Sequence, residues 1–215
     1  MKRGAIFDMD GTLLDTEKYY TQGWIETADK FNVERKPALA SAMSGSASTD
    51  MPAIMKRFYP NVDAKKYVEM VREFVKEKSA EEIKLMSGVK EMLDYFKSKN
   101  ILMAVASSSL KSVVEQNLER TGIRDYFNVV IGGDEITNGK PAPDIFIKAA
   151  EGLNLSSKDC YIFEDSFNGI RAGHASGATT IMIPDQVQPS DEILSLCTVY
   201  KSLNHALKAI IEGKI

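Results

Sequence analysis

Residues 6–12 of this 215-residue chain read IFDMDGT, and this stretch decides the fold that we expect. Two aspartates, Asp8 and Asp10, follow directly on the apolar run GAIF (4–7). Two like charges at the end of a buried strand are costly unless another group offsets them. The stretch therefore predicts a central strand whose carboxyl end carries a functional site.

Four further apolar runs predict the remaining strands of a sheet. Amphipathic helical patterns, such as DIFIKAAEGL (144–153), separate the later runs. Continuous apolar strands that alternate with helices are typical of a parallel sheet covered on both faces, with right-handed crossovers. We therefore predict an α/β fold with a Rossmann-like parallel sheet. The four runs are ILMAVA (101–106), FNVVIG (127–132), CYIF (160–163) and TTIMI (179–183).

The stretch between residues 15 and 82 differs from the rest because it contains no convincing strand. Helical patterns dominate it, for example YYTQGWIETADKF (19–31) and AKKYVEMVREFVKEK (64–78). We predict a small all-helical cap domain over residues 15–82, inserted after the first strand, with the sheet resuming near Met86–Val89. The α/β core domain would then comprise residues 1–14 and 83–215.

Composition and charge argue against several classes of protein. The net charge is −3 without a long basic run, so neither nucleic acid nor an anionic membrane is an expected partner. No segment approaches the ~20 apolar residues of a membrane span, and the early acidic residues argue against a signal peptide. Cys160 and Cys197 lie in or near apolar runs, so we predict buried free thiols and not a disulfide. We expect a cytoplasmic protein, either a monomer or a weak oligomer.

Polar side chains follow the predicted strands at their carboxyl ends, which meet at one edge of an open parallel sheet. Four carboxylates at one edge would repel one another unless a cation joined them, and a set of oxygen ligands favours Mg²⁺ over zinc. Serines before a helix and a lysine suit an anion. The pattern predicts a magnesium-dependent phosphoryl-transfer site. Its members are Asp8, Asp10, Ser107, Ser108, Ser109, Lys140, Glu164 and Asp165.

Each motif also has a purely structural interpretation when taken alone. An Asp-Gly pair can form a turn, and a loop lysine is commonly solvated. The serines before LKSVVEQ (110–116) could simply cap that helix, and we expect Asp144 to cap the next one. Four such motifs at successive strand ends favour the functional interpretation.

The motifs resemble those of the haloacid dehalogenase-like superfamily. The resemblance rests on DMDGT (8–12), Ser107, Lys140 within GKPAPD (139–144) and the pair Glu164-Asp165, and it covers essentially the whole chain. The helical insert and the phrases DGTLLDTE and GKPAPDIF resemble the subgroup that includes β-phosphoglucomutase and many sugar-phosphate phosphatases. This resemblance implies a Rossmann-like core with a helical cap.

The resemblance also implies a role for each motif. Asp8 would be the nucleophile that forms an aspartyl-phosphate, and Asp10 the general acid and then base. Asp10 would bind Mg²⁺ through its backbone carbonyl. The implied metal-binding residues are Asp8, Asp10, Glu164 and Asp165. The implied phosphate-binding residues are Ser107, Ser108 and Lys140.

The resemblance leaves open whether the chain is a phosphatase or a β-phosphoglucomutase. Such mutases carry an arginine in a G-x-x-R-x-D-like segment of the cap, and Ser48 takes its place here. Ser44 stands where a nearby lysine would be, and Tyr20 where a histidine would be. A serine cannot replace a guanidinium, although Lys76 or Lys78 could supply the missing charge.

We therefore expect a hydrolase that acts on a small phosphorylated metabolite, in particular a sugar phosphate. Tyr20, Trp24, Ser44 and Ser48 would shape the pocket for the leaving group. A dehalogenase would not need an acid at Asp10. A non-catalytic binding protein is disfavoured because both aspartates of the first motif are present.

Overall fold

The computed structural model describes residues 1–46, 50–186 and 188–215, apart from the side chain of Ser41. Within these residues the strands form one parallel sheet. The strands are β1 (Gly4–Phe7), β2 (Leu102–Ala106), β3 (Val129–Ile131), β4 (Cys160–Glu164), β5 (Thr179–Met182) and β6 (Thr198–Val199). They lie in the order β3-β2-β1-β4-β5-β6, so β1 is central and pairs with both β2 and β4.

Helices connect the strands and cover the sheet. Those between β1 and β2 are α1 (Glu17–Lys30), α2 (Pro37–Met43), α3 (Met51–Phe58), α4 (Ala64–Glu81) and α5 (Val89–Ser98). The later helices are α6 (Lys111–Arg120), α7 (Asp144–Gly152), α8 (Phe167–Ala175), α9 (Asp191–Leu194) and α10 (Leu203–Ile211). The predicted α/β class and parallel sheet are confirmed.

Two details of the predicted sheet are wrong. The sheet does not resume near Met86–Val89, because helix α5 begins there and the next strand is β2. The sheet also contains β6, which is not predicted because its two residues are too few to give a hydrophobic pattern.

The sheet buries both of its faces because successive side chains of a strand point to opposite sides. On one side Phe7 stacks on Phe163 of the neighbouring strand, with ring centroids 4.7 Å apart, and both pack beneath α5. On the other side Ile6 and Ile162 pack against Phe146 of α7. Burial of both faces explains why the strands are continuous apolar runs.

Helices α1 to α4 form an apolar cluster of their own, separate from the clusters that cover the sheet. Its centre is the fully buried Tyr67 of α4, whose ring lies next to Trp24, Phe31 and Tyr59. The Tyr67 hydroxyl donates to the Trp24 carbonyl at 2.8 Å. These helices agree with the all-helical insert that the sequence predicts, while the domain boundaries themselves stay a prediction.

The helical insert contacts the core at the loop of residues 44–46. The Ser108 hydroxyl donates to the Gly45 carbonyl at 3.1 Å. The Asn168 side-chain amide donates to the Ser46 hydroxyl at 3.2 Å and to the Ser44 carbonyl at 3.4 Å. This loop therefore lies over the carboxyl edge of the sheet.

A second contact lies at the end of α4. The Arg120 guanidinium of α6 donates to the carbonyls of Ser79 and Ala80, each at 2.8 Å. A cation at this position also interacts favourably with the helix dipole. Arg120 thus holds the last turn of α4 against the core.

Two further predictions concern the cysteines and membrane-spanning segments. Cys160 and Cys197 are both free thiols, as predicted. Among the helices that the structure describes, none has the length and apolar character needed to cross a bilayer.

Candidate active site

The site begins where β1 ends and the chain turns sharply at Gly11. Gly11 has a positive φ of 77°, which favours glycine. A Cβ atom there would also lie 2.3 Å from the Asp165 carboxylate, so a side chain would clash with it. The turn brings Asp8 and Asp10 to the same edge of the sheet as Asp165.

A buried lysine links two of the predicted site residues. The Lys140 Nζ lies 2.5 Å from Asp8 Oδ1 and 2.6 Å from Glu164 Oε1. The side chains of Lys140 and Glu164 are fully buried, and that of Asp8 is nearly so. The loop after β3 therefore reaches back to join the loops after β1 and β4.

Burial controls the charges of this group. The pKa of Asp8 is raised to about 8, chiefly by burial; Lys140 opposes the rise, while Glu164 and Asp10 contribute to it. Burial lowers the pKa of Lys140, but its two carboxylate neighbours raise it above the ordinary value. One ammonium thus does not offset all of the negative charge that the fold collects here.

Three buried carboxylates are close enough together to bind a metal ion. One oxygen each of Asp8, Glu164 and Asp165 lies within 4.8 Å of the other two. The pKa of Asp165 is raised well above its ordinary value by burial and then by Glu164. None of the residues that the structure describes donates a hydrogen bond to the Asp165 carboxylate. Crowded carboxylates with oxygen donors alone fit a hard divalent cation.

Glu164 is held more firmly than the other two carboxylates. Its Oε2 accepts from the Asp165 amide, the Ser166 amide and the Ser166 hydroxyl, each at 2.9 Å. Its Oε1 accepts from Lys140. A Cβ atom at Gly169 would lie 1.7 Å from Oε1, so α8 can pack this closely only with glycine there. The Glu164 carboxylate therefore orients Lys140 and organises the loop after β4.

Asp10 has different surroundings from Asp8. Its Oδ1 accepts from the Thr16 hydroxyl at 2.6 Å, and its Oδ2 accepts from the Ser109 hydroxyl at 3.1 Å. Burial raises its pKa, while these two hydrogen bonds lower it. The Asp10 carboxylate is not a member of the three-carboxylate group. The two aspartates thus differ in their hydrogen-bond partners and in their access to the candidate metal site.

Three serines follow β2, and all of them line the same cavity. The Ser107 hydroxyl accepts from the Ser109 amide at 3.1 Å. Helix α6 begins at Lys111 with Leu110 as its N-cap and without a side-chain cap. The alternative that these serines merely cap α6 is therefore wrong.

Asp144 also has a role other than the one expected. It is the first residue of α7, and the N-cap is Pro143. The Asp144 carboxylate accepts from the Asn138 side chain at 2.8 Å. The prediction that Asp144 is an N-cap is wrong by one position, although its role remains structural.

We call the cavity between these loops and the helical insert the acidic pocket. Its volume is about 50 Å³. The core contributes Asp8, Asp10, Asp165, Ser107, Ser108 and Ser109. The helical insert contributes the predicted Tyr20, Trp24 and Ser44, while Ser48 lies outside the described residues.

The two aromatic side chains contribute differently to this pocket. Burial raises the pKa of Tyr20, and the nearby Asp10 and Glu17 carboxylates raise it further, so its hydroxyl stays protonated. Trp24 is buried and stacks on Tyr67, with ring centroids 6.1 Å apart. Trp24 therefore belongs both to the pocket wall and to the core of the insert.

Glu17, which the sequence motifs do not predict as a site residue, lines the acidic pocket. Its pKa is raised to about 8, chiefly by burial and then by Asp10 and Asp8. Glu17 ends the phrase DGTLLDTE (10–17), so its position soon after the two aspartates was the available signal.

Arg72, a cation of α4, also lines the acidic pocket, although the sequence pattern indicates Lys76 or Lys78 as the basic residue of the cap. Lys76 lines a neighbouring cleft, and Lys78 pairs with Glu81 at 2.8 Å on the surface. Arg72, Lys76 and Lys78 lie within two turns of α4, so the local sequence contains no signal that singles out Arg72.

The comparisons with known proteins agree with this geometry. The family model described as haloacid dehalogenase-like hydrolase matches residues 5–183. The chain belongs to this family. It is 32% identical over 178 residues to a phosphorylated carbohydrates phosphatase of Thermotoga maritima, and the aligned region covers 82% of each chain. It is 31% identical over 183 residues to the fructose-1-phosphate phosphatase YqaB of Escherichia coli, and the aligned region covers 83% of this chain and 94% of that protein.

A solved structure shows the same fold as this family member. It is a β-phosphoglucomutase from Clostridium difficile, with a TM-score of 0.84 and 24% identity over 100% of this chain and 97% of that one. The predicted superfamily and the prediction of a phosphatase-type hydrolase are confirmed.

Proposed function

We propose that this chain is a magnesium-dependent phosphomonoester hydrolase that acts on a sugar phosphate through an aspartyl-phosphate on Asp8. One observation carries the proposal. Asp8 lies in the three-carboxylate group beside Lys140, whereas the Asp10 carboxylate is outside this group and accepts hydrogen bonds from two hydroxyls. Two relatives named as phosphatases of phosphorylated carbohydrates support the substrate class.

Asp8 is the nucleophile in this proposal. Its carboxylate oxygen forms a bond to phosphorus as the bond between phosphorus and the leaving alcohol oxygen breaks. The carboxylates of Asp8 and Asp165 and the Asp10 carbonyl are the proposed ligands of Mg²⁺, which would supply positive charge at the phosphoryl group. Lys140 adds a second positive charge, so that one anion can approach another.

Asp10 transfers the protons. Its buried carboxyl has a raised pKa and therefore donates a proton to the leaving alcohol. In the second step it takes a proton from the water that attacks phosphorus, the Asp8–phosphorus bond breaks and inorganic phosphate leaves. Hydrogen bonds from Thr16 and Ser109 keep Asp10 in position for both steps.

The loop after β2 is proposed to bind the phosphoryl oxygens. Ser107 contributes its hydroxyl, whereas the Ser108 hydroxyl already donates to Gly45. The backbone amide of Ser108 is therefore the group available for the phosphate, together with Lys140. Glu164 holds Lys140 in place and lies beside the metal ligands.

The cap, residues 15–82, is proposed to shape the space for the leaving group. Tyr20, Trp24 and Ser44 line it, and Ser48 is retained as a prediction. Opening of the cap would admit substrate, and closure through the loop of residues 44–46 would exclude water during the first step.

A phosphomutase remains the second candidate because of Arg72. This cation lines the acidic pocket from the cap, where a mutase needs a second phosphate contact. A coupled assay separates the two functions. Conversion of β-glucose 1-phosphate to the 6-phosphate without phosphate release would favour the mutase and contradict the proposed hydrolase.

The direct test is phosphate release from p-nitrophenyl phosphate with and without Mg²⁺. We expect release that depends on Mg²⁺ and is lost in Asp8→Asn. Asp144→Asn is the matched control, since it removes a carboxylate charge outside the site and should keep full activity. Release that persists in Asp8→Asn would contradict the mechanism. A panel of sugar phosphates would then identify the substrate.

A further inference from the structure

A separate cavity lies within the helical insert, between α1, α2 and the end of α3. Every described residue that lines it lies between positions 21 and 59, so the core does not contribute to its wall. Its volume is about 280 Å³, close to the lower end of the range of about 300–1,000 Å³ that is usual for small-molecule sites. We call it the α1–α2 cavity.

The lining of the α1–α2 cavity is largely apolar. Trp24, Ile25 and Ala28 line it from α1, Leu39 lines it from α2, and Tyr59 lines it from the end of α3. Ile25 is 39% exposed, whereas the other four are buried. A ligand with an apolar body would therefore remove apolar surface from water on entering. Because two of these side chains are aromatic, an aromatic ring would also gain ring contacts.

Two cations, Arg35 and Lys36, line the cavity just before α2 begins, and no carboxylate is among the described residues that line it. The Arg35 guanidinium is already paired with Asp29, at distances of 2.9 and 2.6 Å. The Lys36 Nζ donates to the Phe58 carbonyl at 2.7 Å and lies 5.0 Å from the centre of the Tyr59 ring.

Lys36 is therefore the cation that can receive a ligand. Within the described part of the chain it forms no ion pair with a carboxylate, in contrast to Arg35. An ammonium has three hydrogens to donate, and the Phe58 carbonyl takes one of them. One cation without a carboxylate partner favours a ligand with a single negative charge.

We propose that the α1–α2 cavity is an effector site for a small aromatic monocarboxylate. The ring would pack against Trp24, Leu39 and Ile25, and the carboxylate would accept a hydrogen bond from the Lys36 ammonium. A free phosphate ion has no apolar body to fill the cavity, and a neutral aromatic molecule would not use the charge of Lys36.

The α1–α2 cavity shares a wall with the acidic pocket. Thr21, Trp24 and Ala40 line both. Helix α2 also leads directly into the loop of residues 44–46, which contacts the core. A ligand packed between α1 and α2 should hold α2, and with it this loop, in the arrangement that closes the acidic pocket. This consequence rests on the proposed function, whereas binding itself does not.

Fluorescence of Trp24, the only tryptophan of the chain, measures binding directly. Phenylacetate is the probe, and phenylacetamide, which has the same ring without the charge, is the matched control ligand. We expect a saturable change with phenylacetate and binding of phenylacetamide that is about tenfold weaker, as expected for loss of a hydrogen bond between charged groups. Equal binding of the two ligands, or no saturable change, would overturn the proposal.

Variants assign the binding to this cavity. Lys36→Met should weaken phenylacetate about tenfold and leave phenylacetamide unchanged. Lys30→Met, exposed at the end of α1 and outside the cavity, is the matched control and should change neither. Ile25→Asn should weaken both ligands, whereas Ile147→Asn of α7, with a similar exposed fraction of 37%, should weaken neither. A Lys36→Met variant that keeps full affinity for phenylacetate would contradict the proposal.

A competition experiment distinguishes the two cavities that Trp24 lines. Phenylacetate should bind at least as tightly in the presence of inorganic phosphate and Mg²⁺ as in their absence. Competition between phenylacetate and phosphate would place the probe in the acidic pocket and overturn the proposal.

Kinetics with p-nitrophenyl phosphate test the link to the acidic pocket. Saturating phenylacetate should lower KM about fivefold in the unmodified protein and leave it unchanged in Lys36→Met. An unchanged KM in both would overturn the effector role and leave only a binding site. If no phosphate ester is hydrolysed, the proposed function fails, while the fluorescence titrations still decide whether the cavity binds the carboxylate.

Discussion

The two walls of the acidic pocket are built in different ways. On the core wall, Asp8 and Glu164 are buried and Asp10 is partly buried, and other core residues donate hydrogen bonds to each of them. On the cap wall, Tyr20 and Arg72 project from helices that have their own apolar core. Any displacement on the core wall leaves buried charges unpaired, whereas the helices of the cap wall pack around an apolar cluster of their own. In the proposed function the core thus holds the reacting groups, and the cap shapes the space for the leaving group.

The largest effect should come from breaking the core wall at its two aspartates. Asp8→Asn should lower phosphate release by at least about 10⁴-fold, because no nucleophile remains. The Asp10→Asn variant should still become slowly phosphorylated by acetyl phosphate, because the acetate leaving group does not require protonation by a general acid. Mass spectrometry of the trapped protein measures this difference. Equal trapping in the two variants would show that the division of labour is wrong.

Loss of the buried Lys140 should have the next largest effect on activity. Lys140→Gln should lower kcat by about 10²–10³-fold, as expected when a charge that stabilises a transition state is removed. It should also lower the free energy of unfolding by about 3 kcal/mol, because Asp8 and Glu164 remain buried without their partner. Kinetics and urea unfolding measure the two effects. An exposed lysine, as in Lys158→Gln, provides the control.

Breaking the contact between the two walls should have an intermediate effect. Gly45 has a φ of 69°, and a Cβ atom there would lie 2.1 Å from the Ser166 hydroxyl. Gly45→Ala should force the cap away from the core and lower kcat/KM for a sugar phosphate about tenfold. Gly122→Ala is a matched control, because φ is 70° there but no atom lies within 4 Å.

Both glycine variants carry the backbone strain of about 1–3 kcal/mol expected for a side chain in this region. Only the clash with Ser166 distinguishes them. Kinetics that are impaired equally in both variants would show that strain, and not the contact between cap and core, matters for activity.

Magnesium should stabilise the core wall in a way that depends on pH. At about 100 times its Kd, a ligand adds about 2.7 kcal/mol, or about 5–10 °C in Tm for a chain of this size. The raised pKa of Asp8, about 8, means that the folded metal-free protein holds a proton that the unfolded chain releases. The contribution of Asp8 to the stability of the metal-free protein is therefore greatest at low pH and falls as the pH rises toward 8.

Because Mg²⁺ must displace this proton at pH 6, less Mg²⁺ should be needed at pH 8. Thermal unfolding across a Mg²⁺ titration at the two pH values measures this. Asp165→Asn should remove most of the shift in Tm. A full shift in that variant would contradict the proposed metal site.

The smallest effect should come from the contact at the end of α4. Arg120→Gln removes the charge that interacts with the helix terminus and weakens the hydrogen bonds to Ser79 and Ala80. We expect a loss of about 0.3–1 kcal/mol in stability, with a smaller change in kcat/KM than for Gly45→Ala. A larger kinetic effect than that of Gly45→Ala would mean that α4, and not the loop of residues 44–46, controls closure.

The strands were predictable because a strand buried on both faces must be a continuous apolar run, as CYIF (160–163) is. β6 was not predictable, because two residues at a sheet edge carry no pattern. The choice among the cations of α4 was equally hidden, since Arg72, Lys76 and Lys78 lie within two helical turns. Packing of α4 against α1 decides which of them reaches the acidic pocket.

By itself, the sequence determined that the acidic, serine and lysine motifs would meet. Each follows a parallel strand, and parallel strands end at one edge. Only the tertiary structure decided which atoms pair there. Asp10 accepts from Ser109, 99 positions away, and Glu164 turns toward Lys140, 24 positions away. Such pairings depend on burial and distance between separate loops, which no local pattern of residues encodes.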